Sequence, residues 1–388
     1  MKKILLVGGS FDNLGGKPSG IIKKIDAYFN SKSSEYNFEL ETYNGGNYSE
    51  LQPILERVKE TNIVLWWANV PNDLPKIRAV KEVNYKVISV TSKRNVEKQY
   101  TYQEILQRML EQKANLSVIF EKDVDDKYKF KLSDPLGNLF YDGGDVNILA
   151  ENILKRAIFL SNITRASTKQ DLENNLDWYY KMFTPDAVLS VEDDAKYEIS
   201  EKKNFLQTVK DYADVFTKTI FNVKEQFEIK RFLGNASFRC PKGFPSFREG
   251  EYIFVSRRNV DKTYISINEF IPTYLKDGQV YYLGENKPSV DSPVQLKLYS
   301  ELPNIKYMLH AHVYIKDAPI TNKALPCGAL EEVDEILDLI KKTDADGLNT
   351  HFIAINLLGH GSLIMSDDVD KINALKNRII ARPKPETI

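Results

Sequence analysis

The first about 170 residues alternate short apolar runs with longer amphipathic stretches, a pattern that restricts the N-terminal half to one kind of architecture. Strand-length runs fall at residues 3–7, 38–43, 63–68, 86–90 and 116–120, with helix-period stretches at 21–30, 49–61, 74–83 and 102–112 between them. Strands that alternate with helices build right-handed βαβ units on a parallel sheet. A five-stranded Rossmannoid, flavodoxin-like domain is therefore expected. The turn residues Asp134-Pro135-Leu136-Gly137 predict a β-hairpin joining 127–131 to 138–141, and residues 146–162 read as a closing helix.

At 388 residues the chain exceeds the size at which one core stops growing, so two domains are expected. Residues 1–165 form the first in this reading, 166–202 a linker region and 203–388 the second. In the last segment the texture changes. A helical pattern over 205–221 gives way to short β-type runs at 253–255, 263–267, 280–283, 308–314 and 352–358, and later helices are expected at 330–342 and 369–379. That is an α/β domain with much antiparallel or mixed sheet.

Charge is balanced, with Lys+Arg 53 against Asp+Glu 54, which gives no global electrostatic basis for binding nucleic acid or a membrane surface. The two cysteines, Cys240 and Cys327, are too few for a disulfide framework and point to a cytoplasmic location with reduced thiols. No apolar stretch approaches a membrane span, and the run after Met1-Lys2-Lys3 is too short for a signal peptide and reads as a first strand.

Of four histidines, three fall where a metal site needs them: His310 and His312 in Leu309-His310-Ala311-His312, and His360 in Leu358-Gly359-His360-Gly361. In an extended segment, side chains two apart share a face, so both imidazoles of His-x-His can reach one ion. A distant third histidine completes a set that leaves one coordination position open, as in catalytic zinc sites. Separate hydrogen-bonded roles for each histidine are the alternative. His351, at the start of a strand-like run, reads as structural.

Residues 234–365 resemble the class II aldolase/adducin family. The resemblance rests on Gly234-Asn235-Ala236-Ser237, on Pro288-Ser289-Val290-Asp291-Ser292-Pro293, on Leu302-Pro303-Asn304-Ile305 ahead of His310, and on Gly359-His360-Gly361. Four motifs in order are far more specific than any one alone. The resemblance implies an α/β/α domain in which His310, His312 and His360 bind Zn2+, and a lyase that acts on a hydroxy-carbonyl small molecule through a metal-stabilised enediolate. It implies a homo-oligomer, a tetramer in many members. Asp291 takes the place of the family's glutamate acid/base; an aspartate there is similar to the epimerase branch, so a sugar-phosphate epimerase or a dehydratase is the alternative, with a non-catalytic adducin-like binding protein as a third.

The phosphate-binding positions implied are Asn235, Ser237, Ser289 and Ser292. The family's second phosphate loop has no match, and Arg257 in Ser256-Arg257-Arg258 is the candidate anion ligand there. Other readings stay open: Gly-Asn-x-Ser as a simple turn, and Asp291 as the N-cap of the helix that follows. In the N-terminal half, Gly8-Gly9-Ser10 through Gly20 is a glycine-rich loop that matches neither a dinucleotide fingerprint nor a P-loop, and Trp66-Trp67 end a strand on the same rim.

Overall fold

In the computed structural model of the chain, the residues described are 1–70, 86–94, 109, 113–122, 127–172, 203–218, 232–240, 252–382 and 386–387. They form two compact units, Met1–Ile163 with Lys384–Ile388, and Thr164–Pro383. The described strands are β1 (Lys2–Asp12), β2 (Phe38–Asn47), β3 (Ile63–Trp66), β4 (Val87–Arg94), β5 (Leu116–Lys122), β6 (Tyr128–Ser133), β7 (Asn138–Gly143), β8 (Thr168–Asp171), β9 (Asn235–Arg239), β10 (Ile253–Ser256), β11 (Phe270–Lys276), β12 (Gln279–Leu283), β13 (Tyr307–Ala311), β14 (Tyr314–Ile315), β15 (Phe352–Leu357), β16 (Gly361–Ser366), β17 (Ile379–Ile380) and β18 (Glu386–Thr387). The helices are α1 (Gly20–Tyr36), α2 (Leu51–Arg57), α3 (Val146–Asn162), α4 (Ala213–Lys218), α5 (Ser292–Glu301), α6 (Glu331–Thr343) and α7 (Val369–Ala374), with a further helical segment at 203–211.

In the first unit β2-β1-β3-β4-β5 run parallel, the order of a flavodoxin-like sheet. The hairpin β6-β7 adds antiparallel strands at one edge, and β18 pairs with β7 beyond it. Alternation builds the core: Ile4 and Leu6 of β1 meet Ile22, Ile25 and Phe29 of α1, and Ile153 and Leu154 of α3. The expected helices at 74–83 and 102–112 lie outside the described residues except for Met109, which is helical. The expected glycine-rich loop is shorter than the sequence suggests, because residues 8–12 continue β1 beside β2 through a register shift between Gly8 and Phe11. The turn that follows is closed by Asp12, whose Oδ1 accepts from the Leu14 and Gly16 amides.

The second unit is built on an eight-stranded sheet in the order β15-β16-β13-β9-β10-β11-β12-β8, antiparallel except where β8 joins β12. Its apolar residues alternate between two helical layers. Ala236, Phe238, Tyr307 and Leu309 face the 203–211 helix and α7, while Met308, Val255, Leu363 and Met365 face α5 and α6. The chain is thus α/β throughout, with one parallel-dominated and one mainly antiparallel sheet. Residues 168–171, expected in the linker, form the edge strand β8. The expected strand at 263–267 is instead two 3-10 turns, because Asp261 Oδ1 accepts from the Thr263 amide and bends the backbone. The run expected at 308–314 divides in two, with β14 leaving the main sheet to pair with β17. Among the described residues no helix is long and apolar enough to cross a membrane.

Candidate metal centre

His310 lies on β13, cross-paired with Asn235 on β9, and both side chains belong to the sheet face covered by α5 and α6. His312 follows one residue after β13 ends, so the His-x-His pair straddles the end of a strand rather than lying within it. His360 comes from the turn between β15 and β16. Gly361 is what allows that turn to close on β13: a Cβ there would lie 2.1 Å from the Ala311 carbonyl oxygen and 2.8 Å from the His312 Cα. The three ring centroids are 4.7–5.2 Å apart, and one nitrogen from each ring lies within 4.8 Å of the other two.

The hydrogen bonds assign the nitrogens. His310 Nδ1 faces the Ser362 carbonyl oxygen at 2.9 Å; a carbonyl only accepts, so Nδ1 carries the proton and Nε2 keeps the lone pair. His310 Nε2 is buried without a hydrogen-bond partner, as is Asp291 Oδ1. Orphaned buried acceptors of this kind are costly unless something occupies the space between them. The donor set, three imidazoles beside a carboxylate, fits a zinc-type ion. His360 Nδ1 meets Glu332 Oε1 of α6 at 2.9 Å, the carboxylate–histidine arrangement that orients a ligating imidazole.

Electrostatics separates the histidines. Burial and the neighbouring His360 push His310 down to about 4, against the pull of Asp291, so it is neutral at pH 7. Burial opposes protonation of His360 too, but Cys327 and Glu332 outweigh it and hold its pKa well above the usual imidazole range. Burial raises Glu332, and His360 works against that shift. An ion arriving here therefore displaces a proton from His360.

Asp291 stands at the N-cap position of α5, yet its side chain makes no capping bond. Its Oδ2 accepts from Asn235 Nδ2 at 3.0 Å, and the same amide donates to Ser289 Oγ at 3.1 Å. Gln295 of α5 in turn donates to Asn235 Oδ1. Asn235, Ser289 and Asp291 thus form one tethered group, and the other expected anion ligands make contacts of their own. Ser237 is buried against the Tyr299 hydroxyl at 3.1 Å, Ser292 donates to the Ser289 carbonyl, and Arg257 pairs with Glu269 at 3.0 Å. Ser289 and Asp291 are buried and flank Val290, which is 38% exposed.

Sequence reading missed Glu332, Gln295 and Cys327. Glu332 and Gln295 look like ordinary helix residues. Pro326-Cys327-Gly328 did carry a signal, a thiol inside a turn dipeptide pattern. Cys327 Sγ lies 3.2 Å from His360 Nε2.

No protein-family model and no curated protein matches the chain. Among solved structures it is similar to a DNA/pantothenate metabolism flavoprotein from Streptococcus pneumoniae, at 13% identity and a TM-score of 0.31, over 40% of this chain and 97% of that one. It is also similar to an aldolase II superfamily protein from Pseudomonas syringae, at 10% identity and a TM-score of 0.30, over 51% of this chain and 84% of that one.

Proposed function

We propose that the chain is a zinc-dependent lyase of the class II aldolase type, acting on a hydroxy-carbonyl small molecule at His310, His312 and His360. The observation that supports this reading is the convergence of three buried imidazoles, one with an orphaned lone pair, beside a carboxylate with one orphaned oxygen. A Zn2+ held there supplies Lewis-acid polarisation of a substrate carbonyl.

The chain's own residues supply the proton chemistry. Asn235 holds Asp291 Oδ2, and Oδ1 is left as the acceptor for a proton from the carbon next to the carbonyl. The chain of bonds from Gln295 through Asn235 fixes where that carboxylate points, which lowers the entropic cost of reaching a reactive geometry. An epimerase using the same centre is the second reading, favoured by the aspartate at 291 with its short reach.

Metal analysis of purified wild type and His310→Ala tests the first step. About one zinc per chain is expected in wild type and little in the variant; a chain that holds no metal and is unchanged by the substitution sinks both readings. Incubation with hydroxy-ketones, with and without a phosphate group, then separates the two. Release of an aldehyde supports the lyase, and epimer formation without free aldehyde supports the epimerase.

A further inference from the structure

We propose that Cys327 is a ligand of the ion held by His310, His312 and His360, so that the resting centre is a nitrogen-and-sulfur site of one thiolate and three imidazoles. This rests on the histidine reading above and extends it to a residue outside the motifs that suggested that reading.

Two sets of ligand atoms lie within 4.8 Å of one another: His310, His312 and His360, and separately Asp291, Cys327 and His360. They share His360. Its Nδ1 is committed to Glu332, so Nε2 is the nitrogen left for both sets, and one nitrogen serves one ion. An ion at His360 Nε2 therefore has the thiol beside it, 3.2 Å from that nitrogen, although the thiol stands beyond 4.8 Å of the ligand nitrogen of His310 or His312.

The spacing agrees with coordination. With Zn–N of about 2.05 Å and Zn–S of about 2.3 Å, tetrahedral geometry places the nitrogen and sulfur about 3.5 Å apart. The Cys327 Sγ to His360 Nε2 distance is 3.2 Å. Backbone packing fixes the thiol there. Gly328 adopts φ +73, and a Cβ on it would lie 2.9 Å from the Val290 carbonyl, so the turn 326–328 sits directly on the loop that carries Asp291. The buried, unpartnered His310 Nε2 supplies the independent sign that something is held between these groups. On coordination the thiol proton leaves to solvent, and a thiolate as fourth ligand fills the position a substrate oxygen would take. Turnover then requires Cys327 to yield that position.

Cobalt(II) substitution of the full-length protein reads this directly. A thiolate ligand gives an intense near-ultraviolet charge-transfer band, while the weaker visible bands report the ion itself. The expected result is one cobalt per chain with the charge-transfer band, retained in Cys240→Ser and lost in Cys327→Ser. Zinc affinity should fall at least about tenfold in Cys327→Ser, since loss of a supporting group one shell further out already costs that much. Cobalt bound one to one without the band in wild type overturns the thiolate ligand and leaves the histidine site standing; the thiol would then be only a hydrogen-bond partner of His360. Two cobalt ions per chain, with the band appearing on the second, overturns the single-ion arrangement. No cobalt or zinc bound at all removes the histidine reading and this one together.

Discussion

Glu332 offers the sharpest test of how the proposed centre is supported, because it would act on a bound ion only through His360. Its Oε1 sits 2.9 Å from His360 Nδ1, with the two side chains 4% and 1% exposed, so water does not replace the bond when it is lost. Removing an outer-shell carboxylate from a ligating histidine costs about 10- to 100-fold in metal affinity. That equals about 1.4–2.8 kcal/mol, which matches the roughly 1.5–3 kcal/mol of a hydrogen bond to a charged group. Glu332→Gln keeps an acceptor oxygen for the Nδ1 proton and loses only the charge, so it should sit near the tenfold end. Glu332→Leu loses the acceptor and should approach 100-fold. Competition with a chromophoric chelator at pH 7.5 measures both, with circular dichroism confirming that each variant is folded. Unchanged zinc affinity in a folded Glu332→Leu would refute the reasoning, as would equal losses in the two variants.

Three further outcomes are expected. Asp291→Asn should keep its zinc and lose about 10²–10⁴-fold in turnover, since the amide cannot take a proton; lost zinc in that variant would make Asp291 a ligand instead. Gly361→Ala should lower stability by at least about 1–3 kcal/mol in a denaturant melt, because its Cβ runs into the Ala311 carbonyl, and weaken zinc binding as the His360 turn is pushed away; wild-type values for both would show that the turn closes by other means. Lys262 is pushed down to about 7 by burial, against the pull of Asp261, while its Nζ donates to the Leu233 and Gly234 carbonyls. The unfolded chain then binds more protons than the folded one between about pH 7 and 10.5, so this group makes stability rise with pH across that window and exacts its full cost below it. Lys262→Met should flatten that rise in urea melts from pH 7 to 10; parallel pH profiles for the two proteins would show that Lys262 is not buried as described.

Legibility in the sequence followed the range of the interactions. The helix at 146–162 was readable to the residue, because its periodicity is local and Asp145 caps it through the Asn147 and Ile148 amides. The parallel strands of the first unit were readable for the same reason. The 3-10 turns at 262–269 were not, since one Asp261 side-chain bond overrode a β-type composition. Ser237 and Ser292 carried the right residue types for an anion pocket, and their contacts with the Tyr299 hydroxyl and the Ser289 carbonyl come from packing that residue type does not record.

The sequence by itself determined which groups are available: alternation that demands two layered α/β units, three histidines in strand and turn contexts, and an aspartate ahead of a helix. Tertiary structure decided how they are used. Strand pairing brought Asn235 beside His310, and a missing Cβ at Gly361 let the His360 turn close on Ala311 and His312. Helix packing put Glu332 behind His360, and the turn at Gly328 set Cys327 in front of it. These contacts join residues 28 to 75 positions apart. At such separations the pairing is set by which apolar faces bury together, and no local pattern in the chain records it.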